Sequence, residues 1–148
     1  MVHALKEAHR VLTPGGTLID LRPAPAHRRI GLGEGRRWRL VGPLHEILDD
    51  DYAADAAMVQ LVRERYLRRE KNMRFRIDRV MDTMDDIREF IDEFDQRRNL
   101  PTHAPLLEQL ELRRARLRKP AKITVRGPMK LGVLRKLEPA PQETGREP

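Results

Sequence analysis

Five histidines, at positions 3, 9, 27, 45 and 103, are the residues best suited to proton transfer or metal ligation near neutral pH in this 148-residue chain. Their spacing restricts that chemistry. His3 and His9 stand six residues apart and do not share a helix face as an i, i+4 pair would. No His-Glu-x-x-His pattern occurs. His45 and Glu46 precede Asp49, Asp50 and Asp51, donors of the type that hard cations prefer, but the same run suits a solvated helix start. The chain contains neither serine nor cysteine, which excludes a nucleophile elbow, a thiolate nucleophile, a disulfide scaffold and thiolate-bound zinc. Asp85 and Asp86 match the first turn of a helix, where the macrodipole favours acids, better than a general acid–base pair.

Charge is the second lead. The formal net charge is +7, and residues 113–136 hold ten Arg or Lys and no acid. Arg113, Arg114, Arg116, Arg118, Lys119, Lys122 and Arg126 are therefore candidates for weak, salt-sensitive polyanion binding without sequence preference. A solvated helix face followed by an edge hairpin is the competing reading. Trp38, the one tryptophan, stands among Arg36, Arg37 and Arg39, as a core plug or as a stacking platform for a base. Gly31, Gly33 and Gly35 alternate as in a phosphate loop, but two arginines follow them and no helix opens there, so a hairpin turn fits better.

The elements that must position these groups follow from periodicity. Residues 1–12 repeat apolar positions at helical steps, and Thr13-Pro14-Gly15-Gly16 stops that helix. Thr17, Leu18, Ile19, Asp20 and Leu21 read as a strand buried on both faces, as in a parallel sheet, ended by Pro23 and Pro25. Residues 43–69 read as helical, divided at Asp49 to Asp51. Residues 73–80 alternate as a half-buried strand. Thr83 caps a helix through Phe94, Pro101 and Pro105 flank the start of another at 106–117, and Gly127-Pro128 divides 121–137 into a hairpin. Residues 138–148, rich in proline and poor in apolar groups, are expected to be a disordered tail. No apolar run approaches the roughly 20 residues that span a bilayer, and no signal-peptide h-region opens the chain, so a cytoplasmic protein is expected.

The text Leu5-Lys6-Glu7-Ala8-His9-Arg10-Val11-Leu12-Thr13-Pro14-Gly15-Gly16-Thr17-Leu18-Ile19-Asp20 resembles a segment of class I S-adenosylmethionine-dependent methyltransferases. In that family a helix ending in Arg-Val-Leu-x-Pro-Gly-Gly leads into the fifth strand of a Rossmann-like sheet. A helix, a sixth strand and an antiparallel seventh strand follow, and residues 44–69, 73–80 and 121–137 would take those places. The resemblance implies an α/β fold in which residues 1–137 form a partial methyltransferase domain, strands five to seven with covering helices.

The same resemblance marks what is missing. The family's glycine-rich cofactor turn and its ribose-binding acid lie upstream of this helix, so no cofactor is expected to bind the isolated chain. S-adenosylmethionine would bind only if a partner supplied the other half. The expected function is that of a truncated or split methyltransferase-like protein. A non-catalytic dimerising subunit and a small basic nucleic-acid-binding module are the alternatives. The fifth strand's end borders the family's substrate pocket, which makes Asp20, Arg22 and His27 substrate-pocket candidates by resemblance; a surface loop is the plainer alternative. The fourth strand's absence would leave Thr17 to Leu21 with an open edge, through which a homodimer or a companion chain is expected.

Overall fold

A computed structural model describes residues 2–33, 35–98, 103–119 and 121–137. The expected tail at 138–148 lies outside the described residues. The elements are α1 (Val2–Val11), β1 (Thr17–Pro23), β2 (Arg28–Leu32), a 3₁₀ turn (Gly35–Arg37), β3 (Arg39–Leu44), α2 (Asp49–Arg63), β4 (Leu67–Met81), α3 (Met84–Arg98), α4 (Ala104–Ala115) and β5 (Ile123–Lys136). The class is α/β, and the five strands form one antiparallel sheet. Within it β5 is bonded to β1, β2 and β4, and β3 to β2. Contacts divide the chain into two compact units. The first joins Met1–Leu21, Ala53–Met73 and Leu131–Pro148; the second joins Arg22–Tyr52 and Arg74–Lys130.

In the first unit the Pro-Gly-Gly text does what its chemistry requires. Gly16 N–H donates to Thr13 O at 2.8 Å, with Pro14 second and Gly15 third at φ 71°, the arrangement of a type II turn. Lys136 Nζ donates to the carbonyls of His9 and Leu12 at 2.9 and 2.7 Å, placing a cation on the orphan acceptors at the end of α1. Met58, Leu61, Leu67 and Leu134 form the core, with Leu5, Leu18, Val62 and Tyr66 packed against it. Both helices thus cover one face. Beside them Arg135 grips Glu70 through Nε at 2.6 Å and Nη2 at 3.3 Å, and reaches Gly15 O at 3.0 Å. The hydrogen bonds from Arg135 hold the Glu70 carboxyl below the usual glutamate range.

The expectation that the first strand is buried on both faces is corrected. Exposure alternates along β1, with Leu18 turned to the core while Ile19 and Leu21 are 65% and 59% exposed. The reason is the one-sided cover: α1 and α2 share the Leu18 face, and the strand's partner β5 runs antiparallel rather than parallel.

The second unit carries the larger core, built from Ile30, Leu32, Val41, Leu44, Met81, Ile87, Ile91, Leu110, Ile123 and Val125. The glycine-punctuated stretch forms the expected antiparallel pair, β2 with β3, in the register Ile30↔Gly42 and Leu32↔Arg39. Thr83 caps α3 as its type predicts: Asp86 N–H donates to Thr83 Oγ1 at 3.1 Å, and Thr83 N–H donates to Asp86 Oδ2 at 2.9 Å. The inward positions Met84, Ile87 and Ile91 agree, and the Phe94 side chain lies outside the described residues. Pro105 sits in the first turn of α4, where its missing N–H is harmless.

Three expectations for this part of the chain are overturned. Helix does not fill residues 43–69: Pro43 and Leu44 end β3, the helix begins only at Asp49, where three acids meet its N-terminus, and it stops at Arg63, so that Leu67 to Arg69 already belong to β4. Residues 123–136 are one continuous strand rather than a hairpin. Pro128 is tolerated because it faces Ala24, whose N–H donates to Pro128 O at 3.0 Å, at the interruption between β1 and β2 where the ladder is already broken. β4 is a strand, but its apolar face is not half-buried. Ile77 is 51% exposed, because this marginal strand pairs with β5 alone and no described element covers it.

Candidate functional site

The seven basic candidates between Arg113 and Arg126 do not act as one group. The second unit divides them. Arg113 Nη1 donates to Leu40 O at 3.0 Å, and Arg114 donates to Ala121 O at 3.2 Å and to Asp82 O at 2.5 Å. Lys122 pairs with Asp82, and Arg126 pairs with both Asp78 oxygens at 3.1 Å. These four side chains tie α4 and β5 to their surroundings. Arg116, Arg118 and Lys119, all exposed just beyond α4, have no such partner among the described residues.

Two of the concavities in the second unit are lined by several basic residues. One, of about 710 Å³, has an apolar floor of Leu32, Val41 and Ala121 and a rim of Arg37, Arg39, Arg113, Lys119 and Lys122. Among the described residues its lining holds no acid, so it favours a ligand with an apolar body and an anionic end. The other, of about 270 Å³, is lined by Ala26, His27, Arg29, Trp38, Arg76, Arg126 and Pro128.

Trp38 governs the second concavity. Its Nε1–H donates to Thr124 O at 3.3 Å, and the Arg126 guanidinium lies 4.2 Å from its ring centroid. The ring therefore packs on β2 and β5 rather than standing free as a base platform. Gly31 is the residue that admits it, because any Cβ there would meet the indole.

The three substrate-pocket candidates are placed as follows. Asp20 belongs to the first unit, half-buried on β1 beside Gly132 of β5. Arg22 and His27 belong to the second unit and both hold the segment that leads into α2. Arg22 Nη1 donates to Asp51 O at 3.4 Å, and His27 Nδ1 accepts the Glu46 N–H at 3.1 Å. His27 also meets the His45 ring edge-on at 5.3 Å. His27 lines the concavity of about 270 Å³, whereas Asp20 and Arg22 do not. Glu46 accepts the Arg28 N–H at 2.8 Å and pairs with the Arg28 guanidinium at 3.7 Å, so it is turned to β2 rather than to the acids that follow it. Among the described residues no three His, Asp or Glu side chains gather as a cation site.

Sequence reading missed Arg29 and Arg76. In the sequence each is one exposed arginine on its own strand, and only the pairing of β2 and β4 with β5 brings them to one concavity. No described helix is long and apolar enough to cross a membrane. Comparison with known proteins adds no relative: no protein-family model, curated protein or solved structure matches this chain.

Proposed function

We propose that this chain is the strand-five-to-seven part of a Rossmann-like S-adenosylmethionine-dependent methyltransferase, competent only with a cofactor-binding half that another polypeptide or segment brings. The observation that carries the reading is the strand arrangement of the first unit. There β5 lies between β1 and β4, antiparallel to its neighbours, and the helix–turn–strand text leads into β1. The resemblance expects an antiparallel last strand beside the strand that follows the Pro-Gly-Gly turn, with a helix before the sixth strand; here α2 precedes β4, and the pair β2 and β3 is inserted ahead of it.

The companion docks along the edge of β1. Lys136 N–H donates to Gly16 O at 2.8 Å and Gly132 adjoins Asp20, so the even-numbered residues of β1 direct their backbone groups at β5. Thr17, Ile19 and Leu21 direct theirs to the other edge, where the sheet ends. Without the companion a second copy takes this edge, which gives a homodimer.

Calorimetry and light scattering test the proposal together. The chain alone gives no heat with S-adenosylmethionine and scatters as a dimer, while Ile19→Pro gives a folded monomer. Co-expression with the product encoded immediately upstream yields a complex that binds the cofactor one to one. A low-micromolar cofactor complex of the chain alone overturns the reading, as does an upstream product that neither binds the chain nor confers cofactor binding.

A further inference from the structure

We propose that the second unit carries a binding site for a small phosphorylated molecule, in the concavity of about 270 Å³ lined by His27, Arg29, Trp38, Arg76 and Arg126. The first observation is a strand register. Arg29 of β2 and Arg126 of β5 are direct partners, which sets two guanidinium side chains side by side on one face of the sheet. Like charges directly opposite one another destabilise a sheet, so an anion beside them is favoured.

Part of that compensation is internal. Arg126 is fixed by Asp78 at 3.1 Å, by Gly35 O at 2.7 Å and by the Trp38 ring beneath it. Its charge is therefore matched. Arg29 and Arg76 have no hydrogen-bond or ion-pair partner among the described residues, and both line the same concavity. Arg76 stands two residues before Asp78 on β4, hence on the same face. With the Arg126–Asp78 pair neutral, the described residues of the lining present two uncompensated positive charges.

A phosphate monoester carries roughly −1.5 to −2 at neutral pH and offers three strong acceptor oxygens, the charge and donor demand that two guanidinium forks meet. The size of the concavity suits one phosphoryl group and a short ester. Trp38 walls the site and holds Arg126 in place, but its ring is already covered, so no base stacks there. Gly31 belongs to the device as well, because it lets the indole lie close against β2. The site lies wholly in the second unit, whereas the methyltransferase reading rests on the first, so either stands if the other fails.

The test is calorimetric titration of the whole chain with inorganic phosphate and, separately, with glycerol phosphate. Either should bind saturably at one site, and the tighter of the two tells whether the physiological phosphoryl group is free or esterified. Arg29→Gln and Arg76→Gln should each weaken binding by about tenfold or more, the loss of a charge-assisted hydrogen bond. Arg118→Gln, a control outside the concavity, should leave it unchanged. Arg29→Gln should also melt no lower than the parent, because the Arg29 side chain makes no hydrogen bond or ion pair among the described residues for the fold to lose; this confirms folding and separates a binding role from a structural one. Absence of saturable binding of both probes to the folded chain overturns the proposal. So does equal weakening by Arg118→Gln, which would reveal diffuse charge, or a mixed-sequence oligonucleotide whose binding outlasts both concavity variants and exceeds that of either probe.

Discussion

The backbone of Gly31 and the indole of Trp38 occupy neighbouring space so closely that a methyl group on residue 31 would sit 2.5 Å from Trp38 Nε1 and against the Arg39 carbonyl. Glycine is required there by proximity, since its φ does not fall in the left-handed region. Gly31→Ala must move the ring or bend β2, and overpacking of this kind costs about 1–3 kcal/mol. Urea unfolding followed by the fluorescence of Trp38, the sole tryptophan, measures the loss directly. An unchanged midpoint would mean that the close approach does not exist in solution.

The reciprocal bonds between Thr83 and Asp86 make a second prediction. Thr83→Ala removes one of them and should cost about 1 kcal/mol, the usual worth of an N-cap. The pair also has a pH signature. Asp86 has its carboxyl pKa lowered, first by the Thr83 side-chain hydrogen bond. A lowered carboxylate pKa stabilises the fold above the unfolded value and loses that contribution as pH falls through the folded one. The gap between parent and Thr83→Ala should therefore be present at neutral pH and narrow on acidification below the ordinary aspartate range. A gap that widens instead would show that the hydroxyl acts in some other way.

His9 answers to pH in the opposite chemical sense but with the same sign. Burial lowers its pKa, the positive charge of Lys136 lowers it further, and its ring meets Tyr66 edge-on at 5.1 Å. Between the folded and unfolded pKa values the unfolded chain binds the extra proton, so stability declines as pH falls through the ordinary histidine range. Lys136→Met should raise the His9 pKa toward its usual value, and proton NMR of the ring titration reads this. His9→Gln should flatten the stability profile over that window. If Lys136→Met leaves the titration where it was, the two groups are not coupled.

Local chemistry determined much of this molecule before any packing was considered. Helix α1, the Pro-Gly-Gly turn, the β2–β3 pair, the Thr83 cap and the proline-led α4 each depend on residues within a few positions of one another, and each is where its residue types demand. The basic character of residues 113–136 was equally legible, since charge is counted rather than folded. What tertiary structure alone decided is partnership. Gly127-Pro128 reads locally as a turn, yet β5 passes through it, because Pro128 happens to face the one interruption in the neighbouring strands. The apolar alternation of β4 reads as a buried face, yet burial requires an element on top, and none is described over Ile77. Arg29 and Arg76 lie 47 residues apart in the chain and meet at one concavity only through the pairing of β2 and β4 with β5. A strand's period tells which residues share a face; which strands lie beside it, and so which charges are brought together, is set by hydrogen bonding between distant segments and cannot be read from any one of them.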